Sequence, residues 1–182
     1  SIQSFKHPER HTIKRIKDTA MKELVRHIQE EWKAAKQAAQ ERCMSMGDRE
    51  MARKLAECDM FKGTEDLEGL VELIFSPRGI EFLTKFGFPD LATFRKFKQY
   101  RPERFGVYID SGKITLTEAR KAFLIGDTVA TVKYRESAGN RLHLMHGASA
   151  SVLAGGYSVV RIEKDDKSDV TFIRQDHARI LM

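Results

Sequence analysis

The chain is poor in the residues that announce an activity. It has two cysteines in 182 residues, Cys43 and Cys58, and no CxxC pair. That excludes a disulfide framework and zinc sites of the Cys/His kind, and makes cytosolic thiols the default. No apolar run approaches the ~18 residues of a membrane span, and Ser1-Ile2-Gln3-Ser4-Phe5 carries no apolar signal core. A cytoplasmic protein with no membrane partner is expected. The phosphate-loop, dinucleotide-binding, HExxH and GxSxG patterns are all missing. Gly155-Gly156 is a turn, because no helix start with a lysine follows it. No catalytic residue, metal or cofactor is assigned.

Charge is plentiful but spread out. Charged residues make up 32% of the chain and apolar ones 41%, so a core is affordable beneath a densely charged surface. The net charge of +6 is not concentrated in a tail. Residues 105–182 hold 11 basic and 9 acidic side chains, leaving 21 and 17 in residues 1–104.

Hydrophobic periodicity divides the chain near residue 104. Residues 8–45 read as one long helix, with Pro8 at its start and Met21, Val25, His27/Ile28, Trp32, Ala35 and Ala39 along one face. Gly47-Asp48, Gly63-Thr64, Ser76-Pro77, Gly87 and Phe88-Pro89 then punctuate four shorter helical stretches, and Pro102 stops the series. Residues 1–104 are thus expected to form a helical region of about five helices.

From Val107 the period changes from 3.6 to 2. Ile125–Val132 aligns with Met145–Val152 twenty positions later, and Ile109–Leu116 fits the same frame sixteen positions earlier. Two interleaved apolar sets result. One is Val107/Ile109, Ala122/Leu124, Leu142/Leu144, Val160/Ile162 and Ala178/Ile180. The other is Ile114/Leu116, Ala130/Val132, Ala150/Val152 and Val170/Phe172. Residues 105–182 therefore read as a repetitive β domain, a solenoid-like stack of about four coils capped by the helical region, in an α+β fold. An antiparallel meander or jelly roll fits the same short strands and turns. The inward face of each strand has two open phases, because Leu124-Ile125 and Leu144-Met145 are apolar on both parities.

Few polar constellations stand out. Asp110, Asp127 and His146 occupy related corners, where stacked coils would form a row suited to acid–base work or a cation, or simply to turn-making. His143 and His146 point to opposite faces of an extended strand, so His143 reads as a surface residue. His7 and His11 share a helix face without further metal ligands, and the two cysteines read as buried thiols. Arg95, Lys96, Lys98, Tyr100, Arg101 and Arg104 interleave cations with aromatic residues. That pattern suits a nucleic acid, or equally the wet side of a helix whose Phe94 and Phe97 face a core.

The segments Ser76-Pro77-Arg78-Gly79-Ile80-Glu81-Phe82, Phe88-Pro89-Asp90, Gly106-Val107-Tyr108-Ile109-Asp110, Leu144-Met145-His146-Gly147-Ala148 and Tyr157-Ser158-Val159-Val160 resemble a group of small, uncharacterised bacterial proteins. These join a variable helical region to a short repetitive β segment and look typical of mobile or phage-derived regions. The resemblance runs from about residue 70 to 182 and implies a natural unit with no established activity. A non-enzymatic interaction or assembly protein is the first expectation. It would self-associate, or meet a protein partner, through the C-terminal β edge or the N-terminal helix. Nucleic-acid binding through residues 95–104 comes second, and an enzyme using the corner carboxylates and His146 third.

Overall fold

A computed structural model describes residues 9–58 and 60–182, with backbone only at residues 9, 81 and 83–86. Pro8, His7 and Lys6 lie outside the described residues. Contacts group the chain into two compact units, Ser1–Pro89 and Asp90–Met182.

The first unit is helical. Helix α1 (Glu9–Ser45) buries Val25, Ile28, Trp32 and Ala39 of the anticipated face, leaves Met21 and Ala35 half-buried, and buries Leu24 beside them. Trp32 meets Phe61 edge-on at 5.5 Å, and Phe61 meets Phe88 at 6.2 Å. Gly47, at φ 77°, ends α1, and the Asp48 carboxylate accepts from the Met51 N–H to start α2 (Arg49–Glu57). Helix α3 (Leu67–Ile74) begins at Asp66, which caps the Gly69 N–H. The break expected at Gly63-Thr64 belongs to the preceding loop, where Glu65 accepts from the N–H groups of Lys62 and Gly63. Helix α4 (Pro77–Phe86) is capped by the Ser76 hydroxyl, which accepts from the Gly79 N–H at 3.2 Å. Gly79 is required there, since a Cβ would sit 2.1 Å from the Ile74 carbonyl oxygen.

The second unit opens with α5 (Leu91–Phe97), capped by Asp90, and two 3-10 turns, Lys98–Tyr100 and Pro102–Phe105. Nine strands follow: β1 (Val107–Ile109), β2 (Gly112–Thr117), β3 (Lys121–Ile125), β4 (Thr128–Tyr134), β5 (Gly139–Met145), β6 (Ser149–Ala154), β7 (Val159–Lys164), β8 (Asp169–Arg174) and β9 (Arg179–Leu181). Odd strands form one sheet in the order β1-β3-β5-β7-β9, and even strands a second, β2-β4-β6-β8. Every pairing is parallel. That excludes a meander or jelly roll and makes the β part a two-sheet solenoid of about four turns. The registers confirm the spacings: Gly112 pairs with Thr128, sixteen residues on, and Val129 with Ser149, twenty on.

Between the sheets lies a narrow interior of Ala122, Leu124, Ala130, Val132, Leu142, Leu144, Ala150, Val152, Val160 and Ile162, with Tyr134 at one end. The Tyr134 hydroxyl donates to the Ala119 carbonyl at 3.0 Å, and burial, then the Glu118 charge, push its pKa up to about 12. The even set of apolar columns is as expected. The odd set needs one correction. Tyr108, not Val107 or Ile109, pairs with Leu124 and packs on the interior, while Val107 and Ile109 share the outer column with Phe123 and Ile125. A shift of sixteen preserves parity, so Ile109 cannot align with Leu124. The outer column is also buried, through Val107, Ile109, Phe123, Ile125 and Met145, which is why alternation alone left the phase open.

Cover falls away in the last coil. Leu144 is 0% exposed, whereas Phe172, in the same kind of inward position, is 47% exposed. Leu144→Ala should therefore cost about 3 kcal/mol and Phe172→Ala about 1 kcal/mol, read from urea denaturation. Equal losses would contradict this gradient.

Candidate functional site

The corners of the solenoid collect most of the polar chemistry. At the turn from odd to even strands, Asp110 (φ 46°), Gly126 (φ 66°) and His146 (φ 57°) take the left-handed conformation that lets the chain reverse. Carboxylates and hydroxyls of neighbouring coils hold these turns. Asp110 Oδ1 accepts from the Asp127 N–H at 2.8 Å, and Asp165 Oδ2 from the His146 N–H at 2.7 Å. The Ser168 hydroxyl accepts from the Gly147 N–H, and Thr128 Oγ1 from the Ser111 N–H. The opposite corner uses the same device. Glu118 accepts from the Arg135 N–H at 2.5 Å, and Asp176 from the Gly156 N–H at 2.9 Å. Each clip satisfies a backbone donor that the ladder leaves over.

The expected row of Asp110, Asp127 and His146 is therefore engaged in building corners. The Asp110 carboxylate also receives the Arg95 guanidinium at 2.6 Å, and that hydrogen bond, against burial, holds its pKa below the usual carboxylate range. Asp127 contributes its N–H to Asp110. The His146 ring lies 5.7 Å from Phe94. For Asp165, burial favours the neutral acid, but the His146 N–H and the Ser168 hydroxyl outweigh it and its pKa is lowered. Among the described residues no group of three or more His, Cys, Asp or Glu is placed to hold a metal ion.

Two basic residues of α5 and the following turn, Arg95 and Lys98, bind this corner too. Lys98 Nζ donates to the Asp110 carbonyl at 2.8 Å. Arg104 folds back on the carbonyls of Tyr100 and Arg101 and lies over the Phe105 ring. Lys96 and Arg101 are exposed, Tyr100 is half-buried, and Phe94 and Phe97 are buried. Arg95, Lys98 and Arg104 thus spend their charge on the chain itself.

His143 differs from its expectation. It is 4% exposed, on the outer side of β5 in a column with Phe123 and Glu163. Its Nδ1 lies 3.7 Å from Glu163 Oε2, beyond hydrogen-bond reach. Strict alternation predicts a solvent-facing residue, but this face of the sheet is covered.

The surface of the described residues includes two concavities. One, of about 530 Å³ in the helical unit, is lined by Met51, Lys54, Leu55, Cys58, Arg78 and Phe82 among others. The other, of about 500 Å³, lies at the last corner between Tyr157, Arg174, His177 and Arg179. Tyr157 and His177, twenty residues apart, stack at 4.7 Å with planes 13° apart. In the same last coil Phe172 is 47% exposed, Ile173 63%, Leu181 41% and Met182 70%. The chain matches no protein-family model, no curated protein and no solved structure.

The buried imidazole and the clipped carboxylates titrate in separate windows. Burial, against the pull of Glu163 and Asp165, lowers the His143 pKa, so its contribution is complete above the unfolded value of ~6.5 and is lost as pH falls toward the folded one. Asp90, Asp110 and Asp165 have lowered pKa values, so their contribution is present above ~4 and lost below it. Stability measured by urea at successive pH values should fall in two steps, and His143→Phe should remove only the upper one. An unchanged upper step would contradict the buried neutral His143.

Proposed function

We propose that this is a non-enzymatic interaction protein that docks another polypeptide by strand addition at the exposed edges of β8 and β9. The observation that carries the reading is the outer edge of β8, which pairs with no strand among the described residues. The Asp169 N–H donates to Ala148 and the Gln175 N–H to Ala154, so this odd phase of the backbone faces β6. In a parallel ladder the intervening residues, Val170, Phe172 and Arg174, turn their N–H and C=O groups the other way, toward the edge. Phe172 and Ile173, on opposite faces of β8, are both exposed beside that edge. No proline and no lysine lies within β8 to blunt it. Main-chain pairing with an incoming strand would satisfy these groups, and Phe172 and Ile173 would supply the accompanying burial, one on each face.

Other parts of the reading have separate support. The unpaired thiols Cys43 and Cys58 suit a reducing cytoplasm. No described helix is long and apolar enough to cross a membrane. A bacterial source rests on the resemblance of residues 70–182 alone. Nucleic-acid binding has less support, because Arg95 and Lys98 are committed to Asp110.

A photo-crosslinking benzoyl-phenylalanine in place of Phe172 tests the docking. It should give a light-dependent adduct with a second polypeptide, and the same probe at the exposed Met46 should not. Val170→Pro, which removes an edge-facing N–H and no bond to β6, should abolish the adduct and lower Tm by less than about 5 °C. No adduct from Phe172, or one indifferent to Val170→Pro, would overturn the proposal.

A further inference from the structure

We infer that the outward face of the odd-strand sheet binds single-stranded nucleic acid, with Lys121, Arg141 and Arg161 on its phosphates and the Tyr157–His177 pair against its bases. The site lies on the face of β3, β5 and β7, not on the edge of β8, and stands whether or not that edge docks a polypeptide.

Parallel register builds a row of like charges there. Lys121 stands opposite Arg141, and Arg141 opposite Arg161, so the three side chains leave the sheet on successive strands ~4.8 Å apart. The alternate positions Ala122, Leu142 and Ile162 fill the interior, which puts the row on the outside. Lys121 and Arg161 are exposed, and Arg141 is half-buried. None of the three has an ion-pair partner among the described residues. Lys121 lies 5.7 Å from the Phe123 ring.

Other cations of this unit are met by acids: Arg95 by Asp110, and Arg120 by Glu118 and Glu136. The outward positions of β3, β5 and β7 include one acid, Glu163, and it stands in the next column, beside His143. Like charges at facing ladder positions repel and cost stability. A local conflict repeated on three successive strands is the mark of a functional surface. The partner that relieves it carries several negative charges along one line, as a phosphate backbone does.

The neighbouring rings select nucleic acid among polyanions. Tyr157 is 64% exposed and stacks on His177, ring over ring. Both line one concavity with Val159 and Arg179, which occupy the outward column next to the basic row. Aromatic faces beside a line of cations serve single strands, whose bases stack while their phosphates are neutralised. A duplex keeps its base faces covered, and a simple polyphosphate has none.

Fluorescence anisotropy of a labelled oligothymidylate with the purified chain should show binding at about 50 mM salt, with log affinity falling against log salt at a slope of roughly −2, the value for three phosphate contacts on a single strand. Arg161→Gln and Lys121→Gln, both at exposed positions, should each weaken binding about threefold to tenfold and flatten the slope by about 0.7, with no loss of Tm, because each relieves repulsion in the row. Tyr157→Ala should weaken binding about fivefold or more and leave the slope as it is. Lys113→Gln and Lys133→Gln, exposed on the other sheet, should leave the affinity unchanged. No binding at low salt would overturn the site, as would equal losses from Lys113 and Lys133, the result of diffuse attraction. Affinity indifferent to Tyr157→Ala, or inorganic polyphosphate competing as well as oligothymidylate at equal charge, would overturn nucleic acid as the ligand.

Discussion

Each coil of the β unit depends on its neighbours for the hydrogen bonds of its own backbone. A parallel ladder within a solenoid pairs every strand with the coil before and the coil after, and none with its own coil. Ladder and pitch are therefore one requirement. The twenty-residue repeat from β3 onward keeps like residues above like, which holds alanine, valine and leucine in the narrow interior. Where the chain turns, the ladder lapses and N–H groups are left over. The carboxylates of Glu118, Asp110, Asp165 and Asp176 take up those donors across the coil boundary. The same dependence makes the last coil a candidate site, since it holds edge-facing groups with no further coil described beside them.

Helix α5 enters the same scheme from the side. Its Arg95 binds Asp110 of the first coil, Leu91 lies beside Gly126 of the second, and Phe94 meets His146 of the third. The helix runs along three successive corners and ties them together. Its cations resemble a nucleic-acid patch on paper because they are clustered and alternate with aromatic residues. In the fold, Arg95 and Lys98 serve one aspartate, and Phe94 and Phe97 serve the core.

Much of this was legible in the residues, for identifiable reasons. The repeat is visible because stacked coils place equivalent demands on equivalent positions, so Ala130, Ala150 and Val170 recur at a fixed spacing. Helix boundaries show where a cap leaves a chemical mark, as at Asp48 and Ser76. Parallel pairing could not be told from antiparallel, since both need the same short alternating strands. Val107 and Ile109 read as interior because β1 has three residues and both of these are buried, though on the outer column. The burial of His143 depends on what lies over the outer face, which alternation within β5 does not encode. The clips were legible only as a turn-making role for the corner acids, without their partners: each joins a side chain to a backbone N–H, and any residue supplies that donor. Their acidic members carry a signal only as acids at turns, a pattern shared with ordinary surface loops.

The row of corners tied by α5 has a mechanical corollary. Tension applied at Met182 would load β9 and β8 as edge strands, so bonds would open in sequence and not in shear. Each released coil would lengthen the chain by twenty residues, about 65 Å at 3.3 Å per residue. Peeling would proceed at modest force through the last two coils, then meet a step at His146, Gly126 and Asp110, where α5 bridges one coil to the next. The molecule would behave as a short ratchet, yielding at one end and resisting at the other.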